Sequence, residues 1–335
     1  MNPVTPTSDE IHEIVVEKIM QREEVIHNVG QQNNPNLFNF LYHFEEHGWA
    51  IYKSMYSEKM ADDVVSEANT FIKRNHKSKF DMTRSSTYNE FPFGDLGFVP
   101  LYHLNSLYEM RTYKPMVDLF KVIYNTEDIR SMLYSMSFKR SKYELLKNKK
   151  VVERPEWGHD GFMHHDMNLV TGEAVIPVQC VVALSDTTED MGGWHGIDYF
   201  HWNAREWALS NDLYCKKLTS LSSDKVALTC PKMPDVHLWA NHIVKPIMNK
   251  GDILVWKAEL AHGSGSNESK LGRPRIAAYI NYAPSDHLSD CVKRDLIECF
   301  YSGKRPNTTR DDGLEREHHK VYNLKNESDG KLFGL

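Results

Sequence analysis

The chain has 335 residues, 41% of them hydrophobic and 11% aromatic, enough apolar material for a sizeable core. Its formal net charge of −6 argues against nucleic acid as the main partner, because phosphate binding needs a clustered positive field. Cys180, Cys215, Cys230, Cys291 and Cys299 are scattered, with no C-x-x-C pair, and read as free thiols of a reducing compartment. The opening MNPVTPTSDEIHEIVVEK lacks the basic-then-apolar order of a signal peptide, and no apolar run approaches the roughly 18 residues of a membrane span. A cytoplasmic protein is expected. No linker divides the chain, so residues 1–310 are expected to form a single domain and 311–335 a polar C-terminal tail.

Thr7-Ser8-Asp9-Glu10 is a capping-box pattern, and Ile11, Ile14, Val15 and Ile19 follow at helical spacing. One amphipathic helix is predicted up to Gly30, and a second, shorter one from Leu37, Phe38, Leu41 and Phe44 to Gly48. Trp49 to Tyr52 reads as a strand. After Ser57, the positions Met60, Val64, Val65, Ala68, Phe71 and Ile72 trace one helical face. Residues 76 to 112 show no clean period and read as irregular, either pocket wall or surface loop. Lys114 to Asn125 and Asp128 to Tyr134 are both predicted helical. Lys139, Arg140, Lys142, Lys147, Lys149 and Lys150 then form a basic run. It reads as a solvated loop, or as a lid that attracts an anionic substrate or helps bind a cosubstrate.

Pro177 to Leu184 is a buried-type strand, Ser185 to Gly193 a turn-rich return, and residues 204 to 221 helical. Ile253 to Trp256 and Ile276 to Tyr282 are further strands. Core strands thus concentrate at about residues 130–285, behind a helical first part. That order predicts a mainly β sandwich or barrel with flanking helices.

The chemistry concentrates in WGHDGFMHHDMN, residues 157 to 168. In an extended segment residues two apart point to the same side, so His164 and Asp166 can reach one ion while His165 points away. His262 follows about a hundred residues later, beside the pliant Gly263-Ser264-Gly265. Two histidines and a carboxylate hold non-haem Fe(II) on one face and leave the other positions open. Arg275, Ala277, Tyr279 and Asn281 alternate along one predicted strand face, and an arginine there can hold a carboxylate through two hydrogen bonds. Arg273 competes for that role, but Arg275 is better phased with the strand. His159, His195 and His201 lie near the motif as lesser ligand candidates. Trp157, Asn168, Trp194 and Tyr279 are candidate substrate contacts. Together with Tyr199, Phe200 and Trp202 the tryptophans can wall an apolar pocket for a small, amphipathic or anionic molecule.

Several stretches carry a resemblance. They are Phe44-Glu45-Glu46-His47-Gly48-Trp49, Gln179 through Asp186, Gly192-Gly193-Trp194, Gly251-Asp252, and His262-Gly263-Ser264-Gly265-Ser266-Asn267 with a following arginine. In these the chain resembles the phytanoyl-CoA dioxygenase (PhyH)-like family of Fe(II)/2-oxoglutarate-dependent oxygenases. The resemblance implies a double-stranded β-helix, the jelly-roll or cupin-like core. It implies His164, Asp166 and His262 as iron ligands and Arg275 as the 2-oxoglutarate anchor, with Gln179 and Ser264 as further cosubstrate contacts. It implies a dioxygenase that uses Fe(II), 2-oxoglutarate and O2 to hydroxylate a C–H bond of a small molecule, with release of succinate and CO2. Halogenating relatives lack the carboxylate ligand, so Asp166 favours hydroxylation. Asp198-Tyr199-Phe200-His201 departs from the family's P-G-S-H segment, the His262-to-Arg275 spacing is longer than usual, and the aromatic stretch from Trp194 to Trp207 is unlike the phytanoyl-CoA enzyme. Substrate therefore does not carry over. The rival readings are a non-oxidative cupin-like metal enzyme, a non-catalytic binding module, and an oxygenase acting on protein or nucleic acid.

Overall fold

The computed structural model describes residues 7–94, 97–146, 148–174, 176–211, 214, 232–306 and 322–335. Its helical first part begins with α1 (Ser8–Met20), where Thr7 Oγ1 accepts from the Glu10 amide and the Glu10 carboxylate accepts from the Thr7 amide. The helix expected up to Gly30 is in fact two, because Arg22 leaves helical geometry before α2 (Glu23–Asn28). That break lets the Arg22 guanidinium reach the buried Glu45 carboxylate, which also accepts from Lys257 Nζ at 2.7 Å. α3 (Pro35–His47) starts on an Asn34 cap and stops at Gly48, whose φ of +81° suits glycine. A Cβ at Gly48 would sit 2.6 Å from His201 Nδ1, so close packing also holds this position to glycine. The long α4 (Glu58–His76) begins on Ser57, whose hydroxyl accepts from the Met60 amide at 3.2 Å.

The main sheet is antiparallel throughout. Its order is β1 (Trp49–Tyr52), β10 (Ile253–Lys257), β7 (Val178–Ala183), β12 (Arg275–Tyr279), β4 (Met136–Lys139) and β2 (Phe98–Val99). The central strands are buried on both sides, and period-two alternation divides their side chains between two cores. Ile253, Val255, Cys180, Val182, Ile276 and Ala278 pack towards the helices. Leu254, Trp256, Val181, Ala183 and Ala277 pack the other way. There they meet a second, antiparallel sheet of β11 (His262–Ser264), β8 (Trp194–Ile197) and β9 (Ile243–Val244), extended by a bridge between His164 and His262. Two antiparallel sheets face each other over the second core, which makes the expected jelly roll with flanking helices.

Several local expectations change. Asp128 to Tyr134 is not helical: β3 (Ile129–Met132) pairs with β13 (Asn281–Pro284), and so short an apolar segment follows its pairing partner. The strand expected from Ile276 to Tyr282 divides at Ile280 into β12 and β13, which join different sheets. Asn281 therefore does not share a strand face with Arg275, and its Oδ1 accepts from the Cys180 amide at 2.6 Å. The irregular 76–112 stretch holds α5 (Asn105–Arg111). There the Arg111 guanidinium is buried against the carbonyls of Tyr102 and Tyr134. The basic run is not one loop. Its first residue ends β4, and β5 (Tyr143–Leu145) with β6 (Val151–Glu153) forms a hairpin. The helix expected over 204 to 221 is described as α7 (Ala204–Ser210), and the rest, apart from Tyr214, lies outside the described residues.

Of the expected polar tail, residues 322–335 are described, and they return to the core. Tyr322 stacks on Tyr108 at 4.9 Å between ring centroids, and Leu332 and Phe333 are buried beside α9 (Glu327–Leu332), the helix that follows α8 (Asp290–Ser302). Three apolar side chains at the end of a charged segment are enough to dock it. Among the described residues no helix is long and apolar enough to cross a membrane.

Candidate metal centre

His164 and His262 belong to neighbouring strand segments. The His164 amide donates to the His262 carbonyl at 2.9 Å, and the His262 amide returns a bond of 3.0 Å. Directly opposed residues share a face, and the two imidazole centroids are 4.5 Å apart. Each Nδ1 lies against the backbone carbonyl two residues earlier, Phe162 O at 2.8 Å and Leu260 O at 2.9 Å. A carbonyl only accepts, so both Nδ1 atoms carry a proton, which leaves the Nε2 atoms as the ones that can ligate a metal. Asp166, two residues after His164, closes the set. Its Oδ2 is 3.2 Å from His262 Nε2 and its Oδ1 3.8 Å from His164 Nε2. The three ligand atoms lie within 4.8 Å of one another, so His164, Asp166 and His262 could hold one metal ion.

From the main sheet, Gln179 on β7 donates its Nε2 to Asp166 Oδ2 at 2.6 Å. It therefore orients the carboxylate, a role its position in sequence does not reveal. Backbone packs tightly here: a Cβ on Gly161 would lie 2.4 Å from the Ser264 carbonyl oxygen. His165 turns away, as the alternation requires. It is fully buried among Phe200, Trp207 and Tyr214, and its Nδ1 meets the Glu259 carbonyl. Burial, reinforced by the His262 and His164 charges, pushes its pKa down to about 3. His195 lies opposite Gly263, its pKa lowered to about 4 by burial and by Lys245. His201 Nε2 meets the Glu45 carbonyl, in the helical layer. His159 lines a small pocket with Phe91, Lys139, Arg140, Trp157 and Ser266.

Arg275 is buried on β12, on the same strand face as Tyr279, and its Nη1 has no hydrogen-bond partner among the described residues. Arg273 is exposed, and its carbonyl accepts from Asn267 Nδ2. Ser264 Oγ accepts from Lys139 Nζ at 2.8 Å, and the same ammonium reaches the Gly265 carbonyl at 2.8 Å. Burial, then the charge of Arg275, lowers the Lys139 pKa to about 7. Trp194 lies nearly parallel to the His262 ring, 6.5 Å away, and between Trp49 and Trp256. The indole N–H groups of Trp194 and Trp256 are buried without an acceptor among the described residues. Tyr279 faces Phe98 across 6.5 Å.

Trp157 and Asn168 have other surroundings. Trp157 packs in the helix-side core, with the Arg140 and Arg154 guanidiniums 5.0 and 5.7 Å from its ring. Asn168 Oδ1 accepts from the amides of Val170 and Thr171, which fixes a turn. Two residues of the site escaped sequence reasoning. Trp256 reads as an ordinary core residue of its strand, and Lys139 is hidden at the head of the basic run.

The family model of phytanoyl-CoA dioxygenase (PhyH) matches residues 44–275, which span both sheets and all three candidate ligands. The chain belongs to the PhyH family. A Dictyostelium discoideum protein named "Putative phytanoyl-CoA dioxygenase" is 24% identical over 276 residues, which cover 73% of this chain and 75% of that protein. Among solved structures, the hypothetical protein JW0805 from Escherichia coli shares the fold at a TM-score of 0.61, with 12% identity over 98% of this chain and 91% of that one. HygX from Streptomyces hygroscopicus, crystallised with nickel and 2-oxoglutarate bound, reaches a TM-score of 0.48 at 11% identity, over 74% of this chain and 86% of that one.

This PhyH protein is an Fe(II)- and 2-oxoglutarate-dependent dioxygenase, with O2 as co-reactant. The donor set fits that metal, since two imidazole nitrogens and one carboxylate suit a non-haem iron with open positions. The unpartnered Arg275 Nη1 fits a carboxylate oxygen.

Proposed function

We propose that His164, Asp166 and His262 hold the iron, that Arg275 anchors 2-oxoglutarate, and that the enzyme hydroxylates a C–H bond of a small, amphipathic molecule. The observation that carries this reading is the pair of imidazoles whose Nδ1 protons are fixed by backbone carbonyls, converging with one carboxylate. The balance is R–H, O2 and 2-oxoglutarate to R–OH, succinate and CO2. Bound iron with the oxo acid supplies the oxidising power for oxygen insertion. The chain supplies position and exclusion of water. Gln179 holds Asp166 in place, and Arg275 orients the oxo acid from a buried strand. Trp194 and Trp256 cover one side of His262 with apolar surface, and their unpartnered indole N–H groups offer donors to a polar group of the substrate. Ser264, by this reading, acts through Lys139 rather than as an isolated contact.

An anaerobic titration tests the reading. Fe(II) and 2-oxoglutarate added to the protein should give the visible charge-transfer band of a chelated 2-oxo acid, and admitting O2 should release succinate. A folded, iron-loaded sample with no band and no calorimetric 2-oxoglutarate binding would overturn it.

A further inference from the structure

A series of oxidisable rings leads away from the candidate metal centre. The indole of Trp256 lies 5.2 Å from the His262 ring, and that of Trp194 lies 6.5 Å from it at an interplanar angle of 15°. Gly196, directly opposite His262 in the β8–β11 register, makes the second approach possible, because a Cβ there would sit 2.3 Å from Trp194 Cη2. Trp194 in turn stands 5.8 Å from Trp256 and 5.9 Å from Trp49. From Trp49, on the edge strand β1, the His47 ring is 6.3 Å away, and the Tyr199 ring is 4.4 Å from that imidazole. Trp49 and Tyr199 are only partly buried, so the series runs from a candidate metal ligand to solvent.

Proton acceptors stand at the outer end of the series. Trp49 Nε1 donates to Asp198 Oδ1 at 3.0 Å. Asp198 also fixes the His47 Nδ1 proton at 2.9 Å, which leaves Nε2 as the atom that can take the Tyr199 hydroxyl proton, 3.4 Å away. Glu46 Oε2 lies at 3.4 Å from the same Nε2. The inner indoles differ, since the N–H groups of Trp194 and Trp256 have no acceptor among the described residues. Tyr199 keeps its place at a φ of +61°, a left-handed conformation that is uncommon for a bulky residue and persists only where the surroundings enforce it. The other aromatic cluster near the centre, Trp207 and Tyr214 around His165, ends instead on a phenol that is 2% exposed. Indole and phenol rings give up an electron readily, and tunnelling falls steeply with distance, so short steps between them outpace one long jump. A phenol is oxidised readily only when its proton leaves with the electron, and His47 stands where it can receive that proton.

We infer that Trp256, Trp194, Trp49 and Tyr199 form an electron path that discharges the centre when it is oxidised in the absence of substrate. The inference rests on the reading that His164, Asp166 and His262 hold the iron. It goes further by giving Trp49, His47 and Tyr199, which lie outside that constellation, a protective function. A turnover without substrate converts O2 and 2-oxoglutarate to succinate and CO2, and leaves one oxygen atom and two oxidising equivalents at the centre. Each equivalent draws one electron along the path from Tyr199, whose phenolic proton passes to His47 Nε2. Two electrons and two protons then reduce the retained oxygen to water. A one-electron reductant from solvent, such as ascorbate, returns an electron and a proton to the tyrosyl radical each time.

The experiment reads radicals and side-chain oxidation. Fe(II)-loaded wild type, Tyr199→Phe, Trp49→Phe and Trp49→Tyr are mixed with 2-oxoglutarate and O2, without substrate. Samples frozen during the first turnover are examined by electron paramagnetic resonance, with ring-deuterated tyrosine to identify a tyrosyl radical. Aged samples, with and without ascorbate, are examined by peptide mass spectrometry for oxygen added to each tryptophan, and succinate is measured so that equal numbers of turnovers are compared. Wild type should show a tyrosyl radical. The signal should be lost in Tyr199→Phe and also in Trp49→Phe, which keeps Tyr199, and it should return in Trp49→Tyr, whose phenol is again oxidisable. Per succinate released, oxygen added to Trp194 and Trp256 should rise severalfold in the two phenylalanine variants, and ascorbate should lower it in wild type but not in them. If Trp49→Phe does not fold, Tyr199→Phe, which removes one hydroxyl group, makes the same comparison. A tyrosyl radical undiminished in the phenylalanine variants, or absent from a wild type that releases succinate, would overturn the inference and leave the proposed function standing. A folded, iron-loaded wild type that releases no succinate would overturn the proposed function, and the inference with it.

Discussion

Replacing Gln179 by leucine removes one hydrogen bond from the outer side of the candidate metal centre and little else. Gln179 is half-buried, so an isosteric apolar side chain leaves the packing of β7 intact. The lost bond is the 2.6 Å contact from its Nε2 to Asp166 Oδ2, the oxygen that lies 3.2 Å from His262 Nε2. A hydrogen bond to a charged group contributes about 1.5–3 kcal/mol. Outer partners of metal ligands typically change metal affinity by about 10- to 100-fold, or about 1.4–2.7 kcal/mol, so the two routes agree. Freed from Gln179, the carboxylate can rotate away from the two imidazoles, and part of the binding energy is then spent holding it. The assay is an anaerobic calorimetric titration of the apo-protein with Fe(II), with the thermal midpoint of the apo form as control. Gln179→Leu should bind Fe(II) about 10- to 100-fold more weakly at a nearly unchanged apo midpoint. Unchanged iron affinity would refute the positioning argument, and a matching collapse of the apo midpoint would make Gln179 a packing residue.

His164→Ala, Asp166→Ala and His262→Ala should each lose stoichiometric iron and 2-oxoglutarate-dependent succinate release while keeping the wild-type circular dichroism, since three donors are the minimum for the site. Arg275→Ala should raise the half-saturating 2-oxoglutarate concentration by one to three decades, from about 2–5 kcal/mol for a buried charge-assisted contact. Arg273→Ala, at an exposed position, should leave it within about twofold, and equal losses in a direct titration would reject the assignment.

Acid stability should depend on Glu45. Burial raises its carboxyl, but the charges of Lys257, Arg22 and Lys18 outweigh burial and hold it down to about 2, from 4.5. A depressed carboxylate stabilises the fold above its unfolded value, so about 3 kcal/mol is present above pH 4.5 and lost as pH falls from 4.5 towards 2. Glu45→Gln should lower the melting temperature at pH 7 and flatten its fall below pH 4.5, and parallel melting curves for the two proteins would contradict this.

Local pattern was sufficient wherever the physics is local. The capping box at Thr7, the Ser57 cap, the αL stop at Gly48 and the apolar strands β7 and β10 are written in neighbouring residues, and they stand where those residues put them. The two-residue period also made His164 and Asp166 a pair and sent His165 the other way. What depended on distant partners was not legible. Ile129 to Met132 spaces its apolar residues as a short helix would, and pairing with Asn281 to Pro284 makes it a strand. Lys139 looks like any other lysine of a basic run, and opposition to Arg275 across β12 is what buries its charge. Gln179 lies outside the metal motif by sequence, and the approach of β7 brings its amide onto Asp166. Tyr322 and Phe333 belong to a charged terminal segment, and the aromatic surface around Tyr108 draws them into the core. In each of these a side chain acquires its role from the field and surface of residues far along the chain, which a sequence names but only the folded arrangement brings within reach.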